Sequence, residues 1–216
     1  MIERLVDSLA GKGDPRVLSG GDFESGYGNT PAEVAETIRR TIDAGVAGCS
    51  IEDRAQPGNE LYPLDEVLRR FSAAKEAALK SGSDFVLTGR CEVFSSKHPD
   101  PLGEAVRRLQ AYEAAGADVV YAPGVTTEAE IRAIVEAVKA PVNVLGGLGG
   151  VSNDIAALEK LGVKRVSIGS GLAKVAFGAF LKAAQALASR RFDYEGSAAS
   201  STLNGAFAAT HDDDDG

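Results

Sequence analysis

Ala44-Gly45-Val46-Ala47-Gly48-Cys49-Ser50-Ile51-Glu52 holds a helix stop, a short apolar run and a carboxylate in immediate succession. Glycine takes the left-handed conformation that ends a helix without steric cost, so Gly45 closes the amphipathic segment before it. The run Ala47–Ile51 then reads as a strand, with Glu52 at its C-terminal end. The same sequence of events recurs at Ala115-Gly116 before Asp118–Ala122 and at Leu161-Gly162 before Arg165–Ile168. Outward from these, strands are expected near Arg16–Gly21, Asp84–Gly89 and Val142–Leu145. Helices are expected near Pro31–Ala44, Leu64–Lys80, Pro101–Ala115, Thr127–Val138, Ser152–Leu161 and Leu172 to about Ser189, with start signals at Thr30-Pro31 and at Thr127 with Glu130.

Strands alternating with helices imply a parallel sheet with right-handed crossovers, and so regular a beat predicts a (β/α)8 TIM-barrel type of fold with its chemistry on the loops after the strands. Such a barrel has eight units, whereas six strands are readable here. The α/β fold is therefore expected to be incomplete at the N-terminus, opening with a short helix from Ile2 to about Ala10 and a Gly11-Lys12-Gly13 turn. Residues 1–192 are read as one barrel domain and 193–216 as a tail, in which Leu203–Phe207 dock on a neighbour and the stretch from Ala208 is disordered.

Composition narrows the function. With 216 residues and 44% hydrophobic content the chain can bury one sizeable core. Its 23 basic and 31 acidic side chains give −8, a balance that disfavours nucleic acid as a partner. On this reading no apolar run approaches the 18 or so residues of a membrane span and the start lacks a secretory pattern, so a cytoplasmic protein without a membrane partner is expected. Cys49 and Cys91 lie in strand-like runs without CxxC spacing and read as packed thiols.

Carboxylates gather at the strand ends, in Asp22-Phe23-Glu24-Ser25-Gly26-Tyr27-Gly28 and Ser50-Ile51-Glu52-Asp53. Alternation along a strand would point Asp22 with Glu24, Glu52 with Ser50, and Arg90 with Thr88 and Glu92. Converging carboxylates call for a cation between them, and an oxygen-only set suits Mg2+ held mostly through water. An adjacent arginine suits a substrate carboxylate.

These stretches, with Gly89-Arg90-Cys91-Glu92-Val93-Phe94, Tyr121-Ala122-Pro123-Gly124-Val125, Pro141-Val142-Asn143-Val144-Leu145 and Val166-Ser167-Ile168-Gly169-Ser170-Gly171-Leu172, resemble the isocitrate lyase / phosphoenolpyruvate mutase superfamily in order from about residue 15 to 207. The resemblance implies a Mg2+-dependent enzyme, with Mn2+ as an alternative ion. It acts as a lyase or mutase that forms or cleaves a C–C or P–C bond of a small 2-oxo acid adduct through an enolpyruvate-like intermediate. By position, Asp22, Glu24 and Glu52 are implied as metal residues, Glu52 and Arg90 as catalytic, and Arg90 and Asn143 as substrate-binding. It also implies a homo-oligomer that exchanges a C-terminal helix between subunits.

Three departures qualify the match. Glu24 stands where an aspartate is commoner. The loop Arg54-Ala55-Gln56-Pro57-Gly58-Asn59-Glu60-Leu61-Tyr62 lacks the lyase branch's Lys-Lys-Cys-Gly-His and matches the mutase loop only in part, through Asn59, which leaves the phosphonomutase-like branch. The first two strand–helix units of the superfamily, which supply oxyanion amides and a further aspartate, find no match. The competing expectation is a catalytically inactive barrel fragment that serves as a subunit or interaction protein.

Overall fold

The computed structural model describes residues 20–55, 58 and 60–208. The expected helix at Ile2–Ala10, the Gly11-Lys12-Gly13 turn, Asn59 and residues 209–216 lie outside the described residues. The described residues pack as two units that divide between Ser167 and Ile168.

In the first unit, six parallel strands form one sheet in the order β1-β2-β3-β4-β5-β6. They are β1 (Gly20–Asp22), β2 (Gly48–Glu52), β3 (Val86–Arg90), β4 (Val119–Tyr121), β5 (Val142–Leu145) and β6 (Arg165–Ser167). Each strand pairs with its sequence neighbour in parallel register. Between them run α1 (Pro31–Asp43), α2 (Leu64–Ser81), α3 (Pro101–Ala114), α4 (Glu128–Ala137) and α5 (Ile155–Lys160). This is the sequential β/α winding of an incomplete barrel, and among the described residues β1 and β6 are its edges.

Local chemistry sets the helix limits. Thr30 and Thr127 each accept from the backbone N–H three residues on, while Glu33 and Glu130 reach back to the cap, closing two capping boxes. Gly45, Gly116 and Gly162 have φ of 79°, 98° and 91°, the left-handed stops anticipated at the helix ends. The helix expected over Ser152–Leu161 is broken in two. A single 3-10 turn covers Gly150–Asn153, and Asp154 then accepts from Ala157 N–H and starts α5 afresh.

The core lies between sheet and helices, with Val34, Ile38, Phe71, Leu87, Leu109, Tyr112, Ile131, Val144 and Leu158 all buried. Cys49 and Cys91 belong to it as free, buried thiols. Burial pushes the Cys49 thiol up to about 12, so it stays protonated and inert. Gly89 in β3 admits α3 closely: a Cβ there would lie 3.0 Å from that of Tyr112.

The second unit contains α6 (Gly171–Ala188) and α7 (Ser200–Ala208). Ala208 therefore closes a helix, where disorder was expected to begin. No residue of α6 is buried, and Leu172, Val175, Phe177, Phe180 and Leu181 are all exposed. By length and composition alone, α6 is long and apolar enough to cross a membrane. That corrects the expectation that no run reaches this length. Two separate lysines, Lys174 and Lys182, interrupt the apolar stretch and make it hard to recognise in the sequence.

Candidate active site

Asp22, Glu52 and Arg90 occupy the last positions of β1, β2 and β3. Register sets Glu52 beside Arg90, Arg90 beside Tyr121, Tyr121 beside Asn143 and Asn143 beside Arg165. One row of polar side chains therefore runs across five strands.

Arg90 is its centre. Its Nη1 donates to Asp22 Oδ2 at 2.6 Å, and its Nε lies 2.5 Å from Glu92 Oε1 and 3.3 Å from Glu52 Oε2. The guanidinium lies 5.6 Å from the Tyr121 ring centroid. Burial would lower the pKa of Arg90, but the Glu92, Asp22 and Glu52 carboxylates outweigh it and hold the group above its usual value. Arg54, not singled out by the sequence, adds a second guanidinium, 2.9 Å from Glu92 Oε2 and 3.4 Å from Glu52 Oε1. Strand parity could have found it, since it lies two residues beyond Glu52.

Glu52 is 4% exposed at its side chain. Burial raises its pKa above the ordinary carboxylate range, and Arg90 offsets part of that rise. The extended alternation that was to align Glu24 with Asp22 does not continue that far. β1 ends at Asp22, and Glu24 turns into the left-handed region at φ 46°, where its carbonyl accepts from Glu52 N–H at 2.7 Å. Asp22 and Glu24 are nevertheless neighbours of one phenol. Burial, then the charges of Glu24, Asp22 and Glu52, pushes the Tyr27 hydroxyl above its ordinary pKa.

Two buried arginines outside the strands support this mouth. Arg70 donates to the carbonyls of Gly28 at 2.8 Å and Asn29 at 2.7 Å, fixing the loop after β1, and lies 4.4 Å over the Tyr62 ring. Arg108 donates to the Tyr62 carbonyl and to Asp53 Oδ2, the latter at 3.1 Å. Asp53 is fully buried and also accepts from Tyr112 Oη at 2.5 Å and from the Glu92 backbone N–H at 2.7 Å. It thereby ties the end of β2 to α3 and to the residue that holds both Arg54 and Arg90.

Asn143 is 1% exposed, and both ends of its amide are engaged: Nδ2 with Ser167 Oγ at 3.0 Å and Oδ1 with Arg165 Nε at 2.9 Å. The glycine-rich turn after β5 reflects backbone need, since Gly150 has φ 57° and a Cβ there would lie 2.5 Å from the Thr126 carbonyl oxygen.

The donor set fits a hard divalent cation held through water. Four carboxylates, Asp22, Glu24, Glu52 and Glu92, stand with two guanidiniums, leaving two formal negative charges, the charge of one such ion. Among the described residues no three His, Cys, Asp or Glu side chains lie close enough to hold an ion directly.

The model of phosphoenolpyruvate phosphomutase matches residues 15–188. An oxaloacetate decarboxylase of Rhodopseudomonas palustris (strain BisB18) is 35% identical over 153 residues, covering 68% of this chain and 50% of that protein. The chain thus spans about half the length of such curated relatives. A crystal structure from Burkholderia cenocepacia J2315, described as a lyase/mutase, shares 40% identity and a TM-score of 0.85, covering 96% of this chain and 73% of that one. A 2,3-dimethylmalate lyase of the PEP mutase/isocitrate lyase superfamily shares 26% identity and a TM-score of 0.78 over 97% of this chain and 71% of its own. With the sequential parallel sheet and the Asp22, Glu52 and Arg90 side chains at the ends of its first three strands, the match over most of the chain establishes that it belongs to the phosphoenolpyruvate phosphomutase family, within the isocitrate lyase / PEP mutase superfamily.

Proposed function

We propose that this protein is a Mg2+-dependent lyase or mutase that forms or cleaves a C–C or P–C bond of a small 2-oxo acid adduct through an enolpyruvate-like intermediate. The observation that carries the reading is Arg90, a guanidinium at the end of β3 gripped by Glu92 and facing Asp22 and Glu52. Its planar fork suits a substrate carboxylate: Glu92 holds the Nε edge, and a ligand carboxylate would take the place of Asp22 at Nη1. Asp22, Glu24 and Glu52 would hold the ion's water shell, and Asn143 would face the substrate. When bound, Mg2+ supplies positive charge beside the oxygen on which negative charge develops. The reading carries with it a cytoplasmic location and a carboxylate substrate as the partner.

Arg90→Lys keeps the charge and loses the fork. It should weaken oxalate or pyruvate binding by about 2–3 kcal/mol, or about 30- to 150-fold. Oxamide, which is neutral, should bind the parent poorly and change little in the variant. Unchanged oxalate affinity would make Arg90 a structural partner of Glu92 and favour the reading as an inactive subunit.

We also propose a homo-oligomer. Two edge strands and the exposed apolar side chains of α6 form surfaces that an isolated chain rarely tolerates in water. Light scattering at micromolar concentration should show association, and a monomer with a sharp thermal transition would contradict it.

A further inference from the structure

Three non-glycine residues among those described have a left-handed backbone, and two of them, Glu24 at φ 46° and Tyr27 at φ 50°, stand in the loop between β1 and α1. That conformation is strained for a residue with a Cβ and persists only where the surroundings impose it. The loop begins at Asp22 and carries Glu24, so its shape decides where two of the site's four carboxylates stand.

Arg70 imposes that shape from below. It lies on α2 and is 3% exposed. Its Nη1 donates to the carbonyls of Ser25 at 3.3 Å and Gly28 at 2.8 Å, and its Nη2 to that of Asn29 at 2.7 Å. Its Nε donates to Glu66 Oε1 at 2.9 Å, which anchors the guanidinium to its own helix, and the Tyr62 ring lies over it at 4.4 Å. One planar group thus binds three carbonyls of a short stretch of loop. The loop is pinned elsewhere as well. The Glu24 carbonyl accepts from Glu52 N–H at 2.7 Å, and Gly28 lies so close to α1 that a Cβ there would stand 2.8 Å from the Val34 nitrogen.

Fixed placement matters unequally to different ions. Mg2+ demands a near-ideal octahedral shell at about 2.0–2.1 Å and keeps its waters, so the carboxylates that receive those waters must stand at set positions. Ca2+ takes about six to eight oxygens at about 2.3–2.6 Å in a flexible geometry and adapts to a looser set. We propose that Arg70 is a positioning residue that, through the loop after β1, sets the preference of the site for Mg2+ over Ca2+. This rests on reading the carboxylates as a divalent-metal site.

The test titrates the full chain with MgCl2 and, separately, with CaCl2 in the calorimeter, with a thermal melt of each variant in the absence of metal. Arg70→Lys keeps the charge but gathers it at one nitrogen, which cannot span three carbonyls. It should weaken Mg2+ binding by about 10-fold or more and Ca2+ binding by no more than about 3-fold. Arg70→Gln removes the charge and leaves Glu66 its ion pair with Arg69 at 2.8 Å. It carries the same expectation and serves where Arg70→Lys does not fold. Ile131→Val, a buried change on α4, is the control for lost stability alone and should leave both affinities unchanged. A folded Arg70 variant that binds Mg2+ as tightly as the parent, or that loses Ca2+ at least as much as Mg2+, overturns the inference. If the parent binds neither ion, the metal reading falls first and this inference falls with it.

Discussion

Glu52→Gln should abolish Mg2+-dependent ligand binding and leave the fold intact. The side chain is almost fully enclosed at the end of β2, within 3.3 Å of Arg90 and 3.4 Å of Arg54. Glutamine matches its shape but removes one of the carboxylate charges that set the site's balance, and an amide is a weak partner for a hard cation's water shell. Stability should survive for a definite reason. Folding raises the pKa of Glu52, so its protonated form is the one that favours the native state. Its contribution is present below the ordinary carboxylate pKa and is lost as pH rises through the raised value. A neutral side chain at pH 7 therefore removes a cost. Calorimetry with Mg2+ and oxalate, together with a thermal melt within a few degrees of the parent, checks both halves. Unchanged Mg2+ binding would remove Glu52 from the metal site.

Asp53→Ala should lower stability by about 3–5 kcal/mol, the cost of breaking a buried ion pair by deleting one partner. The variant strips Tyr112 Oη, one contact of Arg108 and the Glu92 backbone N–H of their shared acceptor, all in the interior. For a chain of this size that is a fall in Tm of roughly 6–20 °C. Glu104 and the Tyr62 carbonyl still meet Arg108, which keeps the loss within that range. A loss under about 1 kcal/mol in a urea or thermal titration would show that Asp53 is not the keystone described.

The fold was largely legible because its punctuation is local. Capping boxes at Thr30 and Thr127 and stops at Gly45, Gly116 and Gly162 act over a few residues, so a one-dimensional reading finds them. Strand parity likewise placed Glu52 and Arg90 in one row and Cys49 and Cys91 in the core. It failed at Glu24, where the strand had already ended, since alternation has no meaning in a left-handed turn. The hub at Asp53 was hidden for a different reason. Its side-chain partners Arg108 and Tyr112 come from α3, dozens of residues away, and Gly89 allows the close approach of Tyr112.

The central claim, a divalent-metal site that shares its ligand with Arg90, is tested most directly by titrating the parent chain with Mg2+ in the calorimeter, with and without oxalate. The account predicts that oxalate binds only when Mg2+ is present and that each ligand raises the affinity for the other by the same factor, as linkage requires. Oxalate binding that is equally tight without Mg2+, or Mg2+ binding indifferent to oxalate, would contradict it.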